Sequence, residues 1–523
     1  ADIAGLASLE TVHAMNGTLR FDTKGLYTDM MRAVVKGVPL EFKGNLTDFT
    51  SPVFDARFEM NTTLEKLQTT ARDIFNITVP ANLQGNAHMY VEAQGNVTLD
   101  APVRVKGSID LTNAAVAFEQ IPEPVRHVNG HLDFTDKLVA WNNVSFSFGP
   151  DMYVTNGTVM NTEVCAIQCD LSSPDLAANA TLTVNNNAVK ISSCSFQYLH
   201  STGSLAGDVF FYQAGKPTVD IAGAFLADLR DGMKPLPQYR EFFTKAQPQG
   251  LLHGKYSVKG DLSHWQLCDI QAQVTADTLG AYALQGKDFF LTYVQAEGIV
   301  TVPIVRVSLY DGSIDGSVKV DLTQNNMPYS AHLNVQDVRL EKLKLDTPLQ
   351  DKDIAGIVRA QVDLSGAVTD GNVFSGEGKA FINEGRLWEL NLFKGLGSLI
   401  FTKDFTKIVF HEGVCSFLVR NKAVSTDDLI LRGNIADIQG KVKIDFDGGL
   451  GGELQVSILD QMVPLSGTFR DVTTAIVGKS GRFGTILLSG TVMVPKYKFK
   501  TAVGVTTFLR GLTDALFRGD PAQ

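Results

Sequence analysis

The chain has 523 residues, 44% of them hydrophobic and 20% charged, with a formal net charge of −10. That composition supports a large buried core and excludes global disorder, and the acidic balance excludes a general binder of nucleic-acid backbones, which needs clustered Lys and Arg. No stretch of about 18 consecutive apolar residues is present to cross a bilayer as a helix. The sequence starts at Ala1 with neither a Met nor the basic and apolar regions of a signal peptide, so an anchoring or targeting segment is expected to lie outside it.

From the N-terminus onward, Asn16-Gly17 and Gly44-Asn45 are turn signals, and Glu65 to Phe75 has the apolar spacing of a helix. Two-residue alternation then sets in. Met89, Val91, Ala93, Val97 and Leu99 alternate with His88, Glu92, Gln94, Asn96 and Thr98. Val103, Val105, Ile109 and Leu111 do the same against Arg104, Lys106, Ser108 and Asp110, the period of a strand with one oily and one wet face. Further turn signals follow at Asn129-Gly130 and Asn156-Gly157.

Cys165 and Cys169 form a Cys-x3-Cys pair, but four residues of extended strand span about 13 Å, beyond the roughly 7 Å a disulfide tolerates. A cross-strand partner such as Cys194 fits one of them better, and nothing nearby supplies the further His or Cys of a metal site. Pro235 to Ala246 reads as a second helix opened by Pro235 or Pro237. A turn at Asp311-Gly312 precedes alternation at Val318, Val320 and Leu322; Leu387 to Phe401 reads as a third helix, and Val442, Ile444 and Phe446 alternate again. Finally, Val503 to Phe517 gathers Phe508, Leu509, Leu512 and Leu516 along one helical stripe, a contact face for the last sheet edge, a membrane surface or a partner.

These elements predict strands of about 5 to 10 residues in a meandering antiparallel arrangement, roughly 35 to 40 in all. The residues with the cleanest alternation, Val103, Val105, Ile109, Leu111, Val318, Val320, Leu322, Val442, Ile444 and Phe446, are the candidates for the apolar face, whether it is an open groove or a core. Ordinary core packing demands the same alternation, so the pattern leaves groove and filled sandwich both open.

Enzyme signatures fail on spacing. Gly478-Lys479-Ser480 ends like a phosphate-binding loop, but Thr473 stands where the first glycine is needed. His411-Glu412 lacks the second histidine of a zinc protease, and Asp427-Asp428 reads as a solvated turn. The expectation is no catalytic residue, no metal and no cofactor. Eight Asn-x-Ser/Thr sequons, among them Asn16, Asn61, Asn76 and Asn143, are accounted for by the abundance of Asn and Thr in turns and on wet faces.

The order and spacing of several blocks resemble the AsmA-like family of Gram-negative envelope proteins. The matching blocks are Gly376-Glu-Gly-Lys-Ala-Phe-Ile-Asn-Glu-Gly-Arg-Leu387 with the segment Leu390 to Ile400, then Val424 to Gly433, Ile438 to Gly448, Gly481-Arg-Phe-Gly484 and Gly490-Thr-Val-Met-Val-Pro-Lys-Tyr497. Val103 to Phe118, Pro124 to Gly130, Val144 to Gly157 and Ala281 to Leu340 are similar to the family's repeated unit.

The resemblance implies a mainly β fold: an elongated, twisted antiparallel β-sheet groove of the repeating β-taco type with a few short helices. It also implies a periplasmic body anchored to the inner membrane, and phospholipid transfer toward the outer membrane or upkeep of that barrier. Its partners would be phospholipids, membranes at one or both ends and other envelope proteins. Four regions are expected: β repeats over 1–160, β repeats over 161–350 with a helical insertion near 235–247, the AsmA-like region over 351–500, and a terminal helix and tail over 501–523. Two other readings share the alternation, a non-enzymatic β-repeat scaffold with a filled core and an outer-membrane barrel; the polar ending Gly519 to Gln523 does not suit a barrel's closing strand.

Overall fold

The computed structural model describes residues 3–6, 9–35, 37–75, 81–97, 103–117, 123–161, 164–185, 188–211, 217–234, 240–368, 374–387, 409–434, 436–458 and 485–500. Among the described residues the chain is mainly β, 76% strand and 8% helix, in open antiparallel sheet with no barrel closure. It divides into two compact units, Ala1–Phe225 and Leu226–Gln523.

The first unit is a meander of β1 (Ile3–Leu6), β2 (Leu9–Phe21), β3 (Gly25–Val35), β4 (Val38–Thr47), β5 (Val53–Thr63), β6 (Asn82–Asn96), β7 (Arg104–Ala117), β8 (Val125–Thr135), β9 (Leu138–Phe148), β10 (Asp151–Asn161), β11 (Cys165–Ser172), β12 (Leu176–Val184), β13 (Ala188–Tyr198) and β14 (Ser201–Phe211). Each strand pairs antiparallel with the next. Helix α1 (Leu64–Phe75) interrupts the meander between β5 and β6 where a helix was expected. The next strand, β15 (Pro217–Asp228), runs through the division between the units.

The second unit repeats the plan with β16 (Leu251–Asp261), β17 (Asp269–Ala281), β18 (Leu284–Ala296), β19 (Ile299–Leu309), β20 (Gly312–Asp321), β21 (Pro328–Arg339), β22 (Ala355–Ala367), β23 (Phe374–Arg386), β24 (Phe410–Arg420), β25 (Ala423–Gly433), β26 (Ala436–Asp445), β27 (Leu450–Ile458), β28 (Thr485–Gly490) and β29 (Pro495–Lys500). Again every neighbour in sequence is a neighbour in the sheet. Short helices α2 (Arg240–Ala246) and α3 (Leu340–Leu343) lie at its start and between β21 and β22. The segment Leu387 to Phe401 beyond its first residue, the terminal stripe Phe508, Leu509, Leu512 and Leu516, and the prolines Pro235 and Pro237 lie outside the described residues.

Among the described residues the strands are longer than the turn signals predict, reaching 15 residues in β6. Asp311-Gly312 does turn the chain between β19 and β20, but Asn16-Gly17, Gly44-Asn45, Asn129-Gly130 and Asn156-Gly157 all sit inside strands. The reason is visible in β7 to β10. Asn113, His127 and Asn143 adopt left-handed conformations inside β7, β8 and β9, with φ of 50°, 52° and 57°, and each marks a bulge where the register slips. A bulge frees one backbone N–H from the ladder. The Asn129 side chain accepts the N–H of Asn113 at 2.8 Å, and that of Asn156 accepts the N–H of Asn143 at 2.7 Å. Those asparagines satisfy bulges instead of making turns.

The residue after each bulge is buried: Ala114, Val128 and Val144 form a small cluster with Leu111, Leu132, Trp141 and Phe146 around it. Aligned bulges bend neighbouring strands at the same level, and this buried line marks a crease in the apolar face. Asp337 (φ 54°) followed by buried Val338 repeats the device in the second unit.

Candidate functional site

The register carries apolar side chains from strand to strand in parallel rows on one face. In the first unit Phe42 faces Phe58, which faces Val91; Met89 faces Ile109, Ile109 faces Leu132, and Leu132 faces Trp141. Beyond β10, Val159 faces Ile167 and Ile167 faces Leu182. In the second unit Val302 faces Val318, Val318 faces Ala331, Ala331 faces Leu364, and Leu333 faces Val362. Residues between these along each strand point to the other face and are mostly exposed.

Two features set this face apart from a packed core. Its side chains are mostly only partly buried, and the fully buried ones in the middle of the first unit's sheet are Ala87 and the three crease residues Ala114, Val128 and Val144. The face is also smoothed by aromatic rings laid across glycines. Phe134 lies opposite Gly107, Trp141 opposite Gly157, Phe196 opposite Gly203 and Phe417 opposite Gly378. A Cβ on any of these glycines would come under 3.0 Å from the facing ring. Each ring therefore lies across its partner glycine and fills the place of the missing side chain.

Part of the second unit is different. Phe410, Leu431, Ile438, Leu454, Val456 and Ile486 are buried in a single cluster over β24 to β28, with Ile354 and Leu387 packed into it. Here the same alternating pattern makes a filled core.

The candidates from the sequence divide accordingly. Val105, Ile109 and Leu111 lie on the partly covered face of β7, and Val318 and Val320 on that of β20, with Leu322 immediately after the strand. Val103 precedes β7 and is 42% exposed. Val442 belongs to the packed cluster and Ile444 packs against it. Phe446 follows β26 and is 51% exposed, its ring centre 5.6 Å from that of Phe374. Unread in the sequence were the aromatic residues of this face, Phe42, Phe58, Trp141 and Phe196; Gly157 and Gly203, which face Trp141 and Phe196 across a hairpin, were the available signal for those two, while Phe42 and Phe58 face each other.

The wet face carries cross-strand charge rows. Glu92 is bridged by Lys106 at 2.7 Å and Arg57 at 3.2 Å and accepts the Tyr90 hydroxyl at 2.6 Å; the Lys106 and Tyr90 hydrogen bonds hold its carboxyl below the usual range. His131 bonds Asp110 at 2.6 Å and Asp133 at 3.3 Å. The Asp110 bond raises the His131 pKa, with Asp133 adding to it against a small opposing effect of burial. These are exposed pairs with complementary partners, the arrangement of a solvated face. Among the described residues, no group of three or more His, Cys, Asp or Glu has the geometry to hold a metal ion.

All five cysteines are free thiols. Cys169 and Cys194 both face Ala180, from opposite sides, so β12 lies between them. Two strand spacings, about 10 Å, exceed what a disulfide spans, which corrects the cross-strand pairing considered from the sequence. Burial raises both thiol pKa values, leaving them in the unreactive protonated form.

No family model, curated protein or solved structure matches the chain.

Proposed function

We propose that the chain binds phospholipid acyl chains along the partly covered apolar face and passes them between the inner and outer membranes of a Gram-negative envelope, supporting outer-membrane assembly or integrity. It acts in the periplasm without catalysis or cofactor. The observation that carries this reading is an apolar face carried through successive strands whose side chains remain partly exposed, with aligned bulges and ring-over-glycine pairs along it. The resemblance of the blocks between Gly376 and Tyr497 to the AsmA-like family supports the location and the cargo.

The energetics suit a conduit. Removing a methylene from water is worth about 0.8 kcal/mol, so one acyl chain crossing an aqueous gap unassisted faces a barrier of roughly 10 kcal/mol or more. An apolar face offers the chain nearly the environment it had in the bilayer, while the headgroup stays at the polar rim. The exchange is close to balanced, and balance is what transfer requires: a face that held lipid much more tightly than a bilayer would not release it.

A second reading, a non-enzymatic scaffold of the envelope, draws on the packed cluster over β24 to β28, which leaves that segment without a lipid path. Organic extraction of the purified chain followed by mass spectrometry separates the two. Stoichiometric phospholipid that falls in a folded Ile109→Asp or Val318→Asp variant is the expected result; a lipid-free, stable protein would leave the scaffold.

A further inference from the structure

We infer that one rim of the second unit's sheet is a docking surface for an anionic lipid bilayer. The rim consists of strand ends and hairpin tips: Val368 after β22, Phe374 opening β23, Asn421 and Lys422 between β24 and β25, Phe446 after β26, and Met493-Val494 at the tip joining β28 to β29. These segments are tied to one another. The Phe374 and Phe446 ring centres are 5.6 Å apart, the Phe446 N–H donates to the Lys422 carbonyl at 2.8 Å, and the Val492 N–H donates to the Gly448 carbonyl at 3.0 Å.

Exposure is the first argument. Met493 is 74% exposed, Val494 67%, Val368 52% and Phe446 51%, at turn positions where polar residues and glycine are the rule. Single apolar side chains on hairpin tips suit penetration of a bilayer interface, which has no fixed shape to match, better than a flat protein contact. Charge is the second argument. Arg420, Lys422 and Lys496 are exposed around these tips, and among the described residues no salt bridge involves them. Of the neighbouring acids, Asp445 is paired with Lys443 at 2.9 Å, while Asp447, which accepts the Gly449 N–H at 3.1 Å, keeps its charge against the three cations. In a chain of net charge −10 this rim presents cations beside oily tips, the combination that binds anionic headgroups. The first unit also has an exposed aromatic pair, Phe21 and Phe49 with ring centres 5.8 Å apart, but Asp22 and Asp48 flank it alongside Lys24, so it lacks the cationic excess.

This inference rests on the lipid-transfer reading to the extent that a carrier must meet a bilayer, and the test keeps the two apart. The full chain is sedimented with phosphatidylethanolamine/phosphatidylglycerol vesicles and with phosphatidylcholine vesicles at low and high salt, and phospholipid extracted from the same preparations is quantified. Wild type is expected to partition at least about tenfold better onto the anionic vesicles, with the preference lost at high salt. Met493→Ser with Val494→Ser should cut binding to both vesicle types about tenfold; Lys422→Glu with Lys496→Glu should abolish only the anionic preference. Phe21→Ser with Phe49→Ser should change neither, and all variants should unfold at the wild-type temperature and keep their extracted lipid. Failure of wild type to bind vesicles, or equal binding by the rim variants, overturns the docking surface and directs the search to a protein partner. Vesicle binding that follows the rim in a protein carrying no extracted lipid upholds the rim and overturns the transfer reading.

Discussion

The strands β6 to β9 and the strands β24 to β28 carry the same alternating pattern and end differently. In the first set the apolar side chains remain partly open except at the crease; in the second, Phe410, Ile438 and Ile486 have no measurable exposure. Composition does not separate them, since both alternate Val, Leu, Ile and Phe with polar residues. The difference lies in what sits on the face. Ile354 and Leu387, from the segments before β22 and after β23, pack into the second cluster, whereas among the described residues the small cluster of the first unit is joined from outside the sheet by Leu64 of α1. A strand pattern specifies that one side avoids water, and the neighbouring segments determine whether that side is filled.

The largest expected effect tests the filled region. Phe410→Ala should cost about 3–5 kcal/mol, read as a drop in the urea midpoint, while Phe58→Ala on the partly open face should cost about 1–2 kcal/mol because less area is lost. Equal costs would erase the distinction. A charge sharpens it further: Val442→Asp places an unpaired carboxylate in the cluster and should abolish folding, whereas Ile109→Asp should leave a cooperative melt and remove bound phospholipid. Circular dichroism and lipid extraction on the same two samples decide.

A third test concerns the rings over glycines. Gly203→Ala sets a methyl 2.2 Å from Phe196 Cζ, with ring atoms as its three nearest neighbours, and should destabilise by about 1–3 kcal/mol. A Cβ at Gly451 meets nothing within 4 Å, so Gly451→Ala should stay within about 0.5 kcal/mol. A negligible cost at Gly203 would show that the ring lifts away freely.

The smallest effect belongs to the wet face. The raised pKa of His131 arises first from its bond to Asp110; its contribution is complete below the unfolded value of about 6.5 and is lost as pH rises through the higher folded value. Asp110 is lowered, chiefly by the same bond, so its share is present above about 3.9 and is lost as pH falls through the lower folded value. Both side chains are about half exposed, which limits the pair to under about 1 kcal/mol. His131→Asn should therefore lower the melting temperature slightly near pH 6 and not at all near pH 9, as scanning calorimetry at the two pH values would register.

Much of the fold is legible in the residues. Alternation at Val105 to Leu111 and at Val318 to Val320 places those side chains on one face because successive Cβ atoms must point to opposite sides of a strand, and the helix at Leu64–Phe75 follows from its apolar spacing. The misread segments share a cause. Asn129-Gly130 and Asn156-Gly157 have the chemistry of turns, but the asparagine side chains are engaged by bulge amides of the preceding strand, Asn113 and Asn143, and Gly157 by the ring of Trp141. Val103 and Phe446 continue an alternation that the strands themselves do not, since β7 begins at Arg104 and β26 ends at Asp445.

The sequence by itself determined that the chain is an antiparallel β protein with an oily and a wet face, because the two-residue period is a property of the extended backbone and needs no neighbour to express it. Only the tertiary structure decided where the oily face stays partly open, where it is creased and where it is filled. Those outcomes depend on which glycine faces which ring, which side chain reaches a bulge amide in the next strand, and which distant segments pack onto the sheet, and all three are set by contacts between residues far apart in the chain.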